Sequence, residues 1–270
     1  MRFTVLSDNQ GNGELEGEWG LSILIEYREK HILLDAGASD LFRRNAELLG
    51  IDLKSVDYAV LSHAHYDHAN GLVTLLRDLP DVRVWVRESC AANCYKMSED
   101  MEYIGVPEEL GQFEERLIRA GGVCTPSEGV WLIPHSMPDR EAKGRREKMY
   151  VLRDGTFVPD DFSHEQSLVL ETSEGLAVFS SCSHAGAADI VEEVRAALPG
   201  RPVLAMIGGF HLYNKNETEI RAFASKMGQA GVRTVVTGHC TGETACRILR
   251  EECGDCLSFF HAGLTMELAD

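Results

Sequence analysis

Residues 63–68 read His-Ala-His-Tyr-Asp-His, directly after the apolar segment Val56-Asp57-Tyr58-Ala59-Val60-Leu61-Ser62. Few stretches narrow the choice of fold so sharply. Imidazole and carboxylate are the side chains that hold divalent first-row metals. An apolar strand delivers them to its end, where the chain must turn. Alternate side chains diverge in a turn, so His63 and His65 can serve one ion while Asp67 and His68 serve another. The rival reading is a polar loop with histidines by chance. Agreement between ligand spacing and strand context argues against it.

One arrangement then recurs: a strand ends and a histidine follows. It happens at His63, at His184 after Val178-Phe179-Ser180-Ser181, at His211 after Met206-Ile207, and at His239 after Val235-Val236-Thr237. Ligands in layered α/β folds converge from strand ends, so these histidines are expected to share one edge of the molecule. Asp35, in Leu33-Leu34-Asp35-Ala36-Gly37, follows an apolar strand as well, and such a carboxylate is costly to bury unpaired.

Strand-like runs are expected at Phe3–Ser7, Leu21–Tyr27, His31–Asp35, Val56–Ser62 and Val82–Val86, with helices at Leu41–Leu49 and Gly71–Leu79. The second half alternates again. A hairpin (Ser167–Glu171 and Leu176–Ser181) is followed by helix Ala187–Leu198, strand Val203–Ile207, helix Glu217–Gln229 and strand Val232–Thr237. Helix Glu243–Glu252 and strand Leu257–Phe260 close the pattern. The segment 88–161 is less regular, with a helical stretch expected over Glu108–Ala120. It suits an elaboration packed on a single domain of residues 1–270, and a lid over a pocket is one use for it.

The run His63–His68 is the H-x-H-x-D-H signature of the metallo-β-lactamase superfamily, which the chain resembles over nearly its whole length. Glu18-Trp19-Gly20-Leu21-Ser22, Cys182-Ser183-His184-Ala185-Gly186, Gly208-Gly209-Phe210-His211-Leu212 and Thr237-Gly238-His239-Cys240-Thr241-Gly242 look most like its dihydropterin-type synthase-like subgroup. The resemblance implies an α/β fold, a four-layer αβ/βα sandwich. It implies His63, His65 and His184 on a first metal and Asp67, His68 and His239 on a second, with Asp35 bracing the metal loop. It leaves His211 as proton donor, phosphate contact or ligand. The chain departs from the usual pattern at Cys182, where members carry an Asp that bridges both ions. Cys182 is either a soft ligand in that place or a small buried thiol, and the thiol is the expectation. His164 reads as a bracing or substrate-facing group, and His31 and His261 as structural.

The net charge of −17 opposes nucleic-acid binding, and no apolar run reaches the ~18 residues of a membrane span. The basic run Lys143-Gly144-Arg145-Arg146-Glu147-Lys148 is expected to be a solvated loop, with a phosphate-binding patch as its rival. Eight cysteines without a secretory signal read as free thiols in a cytoplasmic protein, and Cys253-Gly254-Asp255-Cys256 as a turn. The expected activity is hydrolysis of a phosphoester or related small-molecule ester by a metal-activated hydroxide, with a pterin- or nucleotide-like molecule as one candidate substrate and a lactone, thioester or amide as alternatives to the phosphoester. Asp67 and His211 would act on the substrate beside two divalent ions, zinc first and manganese or iron as alternatives. An iron-dependent redox protein and a metal-bound ligand sensor without turnover are the competing classes.

Overall fold

A computed structural model describes residues 1–136 and 139–268. Two seven-stranded sheets stack face to face. The first runs, in spatial order, Thr265–Glu267, Arg2–Ser7, Ser22–Tyr27, Lys30–Leu34, Tyr58–Val60, Val84–Arg87, Leu117–Ala120. The second runs Leu257–Phe259, Thr234–Thr237, Val203–Gly208, Leu176–Phe179, Gln166–Glu171, Val130–Pro134, Cys124–Ser127. Each is antiparallel at one side and parallel at the other.

The period-two alternation of the strands builds the layers. Ile23, Ile25, Ile32, Leu34 and Val60 point from the first sheet into the central core and meet Leu168, Leu170, Phe179, Ile207 and Val236 from the second. Their sequence neighbours point outward. Leu24, Leu33 and Ala59 pack with Phe42, Leu72 and Leu76 of helices Leu41–Leu48 and Gly71–Asp78. Val169, Val178, Met206 and Val235 pack with Ile190, Ile220 and Ile248 of helices Ala187–Ala197, Glu217–Gln229 and Glu243–Cys253. Three apolar cores thus separate four layers, helix, sheet, sheet, helix, which is the metallo-β-lactamase fold.

Two expectations need correction. Glu108–Ala120 is not one helix: a 3₁₀ segment covers Glu108–Arg116, and Leu117–Ala120 pairs in parallel with Val84–Arg87. Strand Leu257–Phe259 does not complete the fold, because Thr265–Glu267 returns to pair antiparallel with Arg2–Ser7. The segment 88–161 is also divided. Leu117–Ala120, Cys124–Ser127 and Val130–Pro134 belong to the main sheets. A separate four-stranded sheet, Thr156–Pro159, Met149–Arg153, Cys94–Met97 and Met101–Tyr103, is added with helix Arg140–Glu147.

Among the described residues, no helix is long and apolar enough to cross a membrane.

Candidate metal centre

The parallel strands of both sheets release their chain at one edge, and the expected residues meet there. The ring centroids of His63 lie 4.6 Å from His65, 4.3 Å from His68 and 5.0 Å from His184. His68 lies 4.9 Å from His239, and His184 4.5 Å from His211. Asp67 Oδ2 is 3.6 Å from His68 Nε2 and 3.4 Å from His239 Nε2. All six residues of the expected ligand set are buried.

The far side of three of the rings, His63, His68 and His239, is occupied. Ser62 donates to Asp35 twice, from its amide (2.7 Å) and from its hydroxyl (2.6 Å). With its proton so committed, the Ser62 hydroxyl accepts from His63 Nδ1 at 2.8 Å. Asp35 also accepts from His68 Nδ1 at 2.9 Å. Asn9 donates to the His239 carbonyl at 3.2 Å, which leaves its Oδ1 to accept from His239 Nδ1 at 3.0 Å. Protons on Nδ1 place lone pairs on Nε2, facing the cleft. This is how ligating imidazoles are oriented in metal sites.

The cleft side is unsatisfied. His63 Nε2, His65 Nε2, His239 Nε2 and both ring nitrogens of His184 and His211 are buried without a hydrogen-bond partner. Buried polar atoms are rarely left so, and a cluster of them asks for a missing ion. Burial, with repulsion from neighbouring imidazoles, holds His63 and His184 well below the usual imidazole range. Burial first, then His164, pulls His65 down to about 3. Neutral rings with free lone pairs are the form that metals bind. Burial works to raise Asp67, but His68 and His239 hold its carboxyl below the usual range. The residues present therefore fit divalent cations. Three overlapping sets bring ligand atoms within 4.8 Å of one another: His63–Asp67–His68, His63–Cys182–His184 and His68–Cys182–His239.

The backbone is bent to achieve this. Asp35, Ser183, His211 and His239 all adopt left-handed φ values, 57°, 54°, 49° and 48°. Non-glycine residues seldom do so, and such strain concentrates at functional sites. Gly208 relieves the same crowding, with φ 145° and no room for a Cβ against the Ser180 carbonyl.

His211 stands at the rim. Its Nε2 is 3.5 Å from Glu147 Oε2, and Glu147 is also bound by Asn214 and Lys215. Burial would lower His211, but Cys240 and Glu147 beside it raise it to about 9. Glu147 was missed in the sequence because its acidic side chain hides in a basic helix, Arg140–Glu147. That helix is not a solvated loop: Lys143 reaches Asp189 at 2.7 Å and the Ala185 carbonyl. With Arg146, Lys215 and Lys226 it lines a cavity of about 310 Å³ that opens onto His184 and His211.

A second cavity of about 350 Å³ lies over Asp67, His65 and Cys182. Lys96, Glu102 and Met149 of the added sheet, with Ile104 just after strand Met101–Tyr103, line it, so the middle segment does contribute to the cleft. Trp19 and Tyr213 stand exposed at its mouth. His164 is not free for a ligand: it accepts from the Ala64 amide (3.1 Å) and donates to Asp160 (3.0 Å), bracing the loop between His63 and His65. His31 and His261 lie away from the cleft, near Ser55 and Asn12.

Four layers, a cleft at the strand ends and clustered imidazoles define one class, and the sequence agrees: the chain belongs to the metallo-beta-lactamase superfamily, whose pattern matches residues 20–239. It is similar to 7,8-dihydropterin-6-methyl-4-(beta-D-ribofuranosyl)-aminobenzene-5'-phosphate synthase of Methanocaldococcus jannaschii, 29% identical, with 97% of this chain and 94% of that protein covered. The crystal structure of Tm1679, a metal-dependent hydrolase of the beta-lactamase superfamily, is 32% identical and superimposes over the whole of both chains with a TM-score of 0.86. A diphosphatase from the PhnP family, 14% identical with a TM-score of 0.59 over 99% of this chain and 97% of the other, shares the fold.

Proposed function

We propose that this protein is a metal-dependent hydrolase of a small-molecule phosphoester. His63, His65 and His184 would hold one divalent cation, and Asp67, His68 and His239 a second, zinc in the first instance. The observation that carries this reading is the set of buried imidazole nitrogens without partners, aimed into one cleft. When bound, divalent cations supply Lewis-acid charge and a nucleophile from water at neutral pH.

The chain's own residues do the rest. Lys143, Arg146, Lys215 and Lys226 offer positive charge to a phosphate beside His211. Lys143 is anchored by Asp189, so its ammonium is held at the cavity wall. His211, kept protonated by Glu147, stands where it can donate to a leaving oxygen or hold a phosphate oxygen. Trp19 and Tyr213 give the mouth flat apolar faces suited to a ring. The name of the M. jannaschii relative contains a dihydropterin and a 5'-phosphate, which these two regions would accommodate. That name also favours a second reading, a synthase acting on such a molecule. The eight free cysteines support a reducing, cytoplasmic setting.

The test is inorganic phosphate release from a panel of pterin and nucleotide monophosphates by zinc- or manganese-loaded protein. Release that disappears in His63→Ala supports hydrolysis. A metal-loaded protein that frees no phosphate from any of them refutes it and leaves the synthase reading.

A further inference from the structure

We infer that a third cavity, beside His239, is the pocket for the ring of the substrate. It fits a planar heterocycle with adjacent N–H donors, and Glu243 is the residue that selects for them. This deepens the hydrolase reading, on which it rests for the orientation of the substrate.

The cavity has a volume of about 470 Å³, inside the range of about 300–1,000 Å³ usual for ligand pockets. It adjoins the cleft. Trp19 and Tyr213 line both it and the cavity over Asp67, while His184 and His211 line both that cavity and the basic one. One trench thus runs from the basic residues, past the imidazoles, to this pocket. Phe259 and Phe260 line it with Trp19 and Tyr213, and the Trp19 ring lies 5.1 Å from that of His239. Gly238 makes room for Phe260, since a Cβ there would stand 2.7 Å from Phe260 Cβ. Trp19 and Tyr213 are left exposed where the two cavities join, and a ring stacking on them would cover both.

The two ends of the trench differ in charge. Lys143, Arg146, Lys215 and Lys226 line the basic cavity, whereas among the described residues no Lys or Arg lines this one. Its carboxylates are Asp8 and Glu243. Asp8 is committed, accepting from the amides of Gln10 (3.0 Å) and His239 (3.2 Å). Asn9 is committed too, through both ends of its side-chain amide, to His239. Glu243, in the first turn of helix Glu243–Cys253, has no hydrogen bond or ion pair among the described residues. A free carboxylate accepts two parallel N–H bonds, as it does from a guanidinium. An aminopyrimidinone edge presents the same fork, a ring N–H beside an NH₂ group. The anion of the substrate therefore belongs at His211 and its amino-bearing ring at Glu243.

Titration calorimetry of the as-purified protein with guanosine and inosine tests this. The two differ only in that amino group, and neither carries a phosphate to release. Guanosine should bind ~10–100-fold more tightly, the value of one hydrogen bond to a charged acceptor. Glu243→Gln should erase the difference. Cys246→Phe, which enlarges a side chain lining the pocket, should abolish guanosine binding with Glu243 intact. Equal affinity of wild type for the two nucleosides overturns the inference, as does guanosine affinity unchanged in Glu243→Gln, or no binding of either. Phosphate release judges the hydrolase reading separately. Guanosine preference without release leaves the pocket and removes that reading, and release without guanosine preference does the reverse.

Discussion

Asp35→Asn isolates how much of the metal centre depends on a residue outside it. Asp35 is fully buried and accepts three hydrogen bonds, two from Ser62 and one from His68. Asparagine has nearly the same shape and tolerates the left-handed backbone at this position, φ 57°, better than alanine would. The change therefore falls on the hydrogen bonds. One carboxylate oxygen becomes an NH₂ group facing a donor, so at least one bond to a charged acceptor is lost, at about 1.5–3 kcal/mol. For a chain of this size that is a fall of about 3–12 °C in the Tm of metal-free protein. His68 and, through Ser62, His63 lose their orienting acceptor, which should weaken metal binding ~10–100-fold. Competition with a chromophoric chelator, beside calorimetry of stripped protein, reads both quantities. Metal affinity within about twofold of wild type, with unchanged Tm, would falsify the bracing role, since the predicted losses are far larger.

The remaining predictions concern the cleft. His211→Ala should keep full metal content while turnover falls ~10²–10⁴-fold, whereas Asp67→Ala should lower both; loss of a metal equivalent in His211→Ala would make His211 a ligand instead. With its pKa raised to about 9, His211 carries its proton below that pH and loses it as pH rises through it, so turnover should fall on the alkaline side. Glu147→Gln removes a carboxylate that raises His211, and the alkaline limb should move to lower pH; an unmoved limb in the kcat/KM profile counts against the pair. Arg146→Ala or Lys226→Ala should raise KM for a phosphoester more than it lowers kcat, and unchanged KM in both would remove the basic cavity from substrate binding.

Much of this was legible because it is local. The alternation in Ser22–Tyr27 and Lys30–Leu34 assigns each side chain to one of two cores, and helix Glu217–Gln229 announces its start with the Asn216–Glu219 capping box. Strand-end placement brought His184, His211 and His239 to the motif at His63–His68 from up to 176 residues away. What was not legible depends on partners distant in sequence. Leu117-Ile118-Arg119-Ala120 fits a helix as well as a strand, and only Val84–Arg87 beside it decides. Cys182 reads as any small buried thiol until His68, 114 residues earlier, is placed 3.2 Å away. Glu147 reads as one acid among five basic neighbours until His211 and Lys215 close on it.

The pairing of Thr265–Glu267 with Arg2–Ser7 also bears on biosynthesis. Strand Arg2–Ser7 leaves the ribosome long before Thr265–Glu267, its partner. Until then the outer edge of the first sheet offers unpaired amides and carbonyls along a strand whose Phe3, Val5 and Leu6 are wholly apolar. Open edges of this kind recruit other chains. A nascent or truncated polypeptide ending before Thr265 should therefore aggregate through strand Arg2–Ser7, far from the break itself.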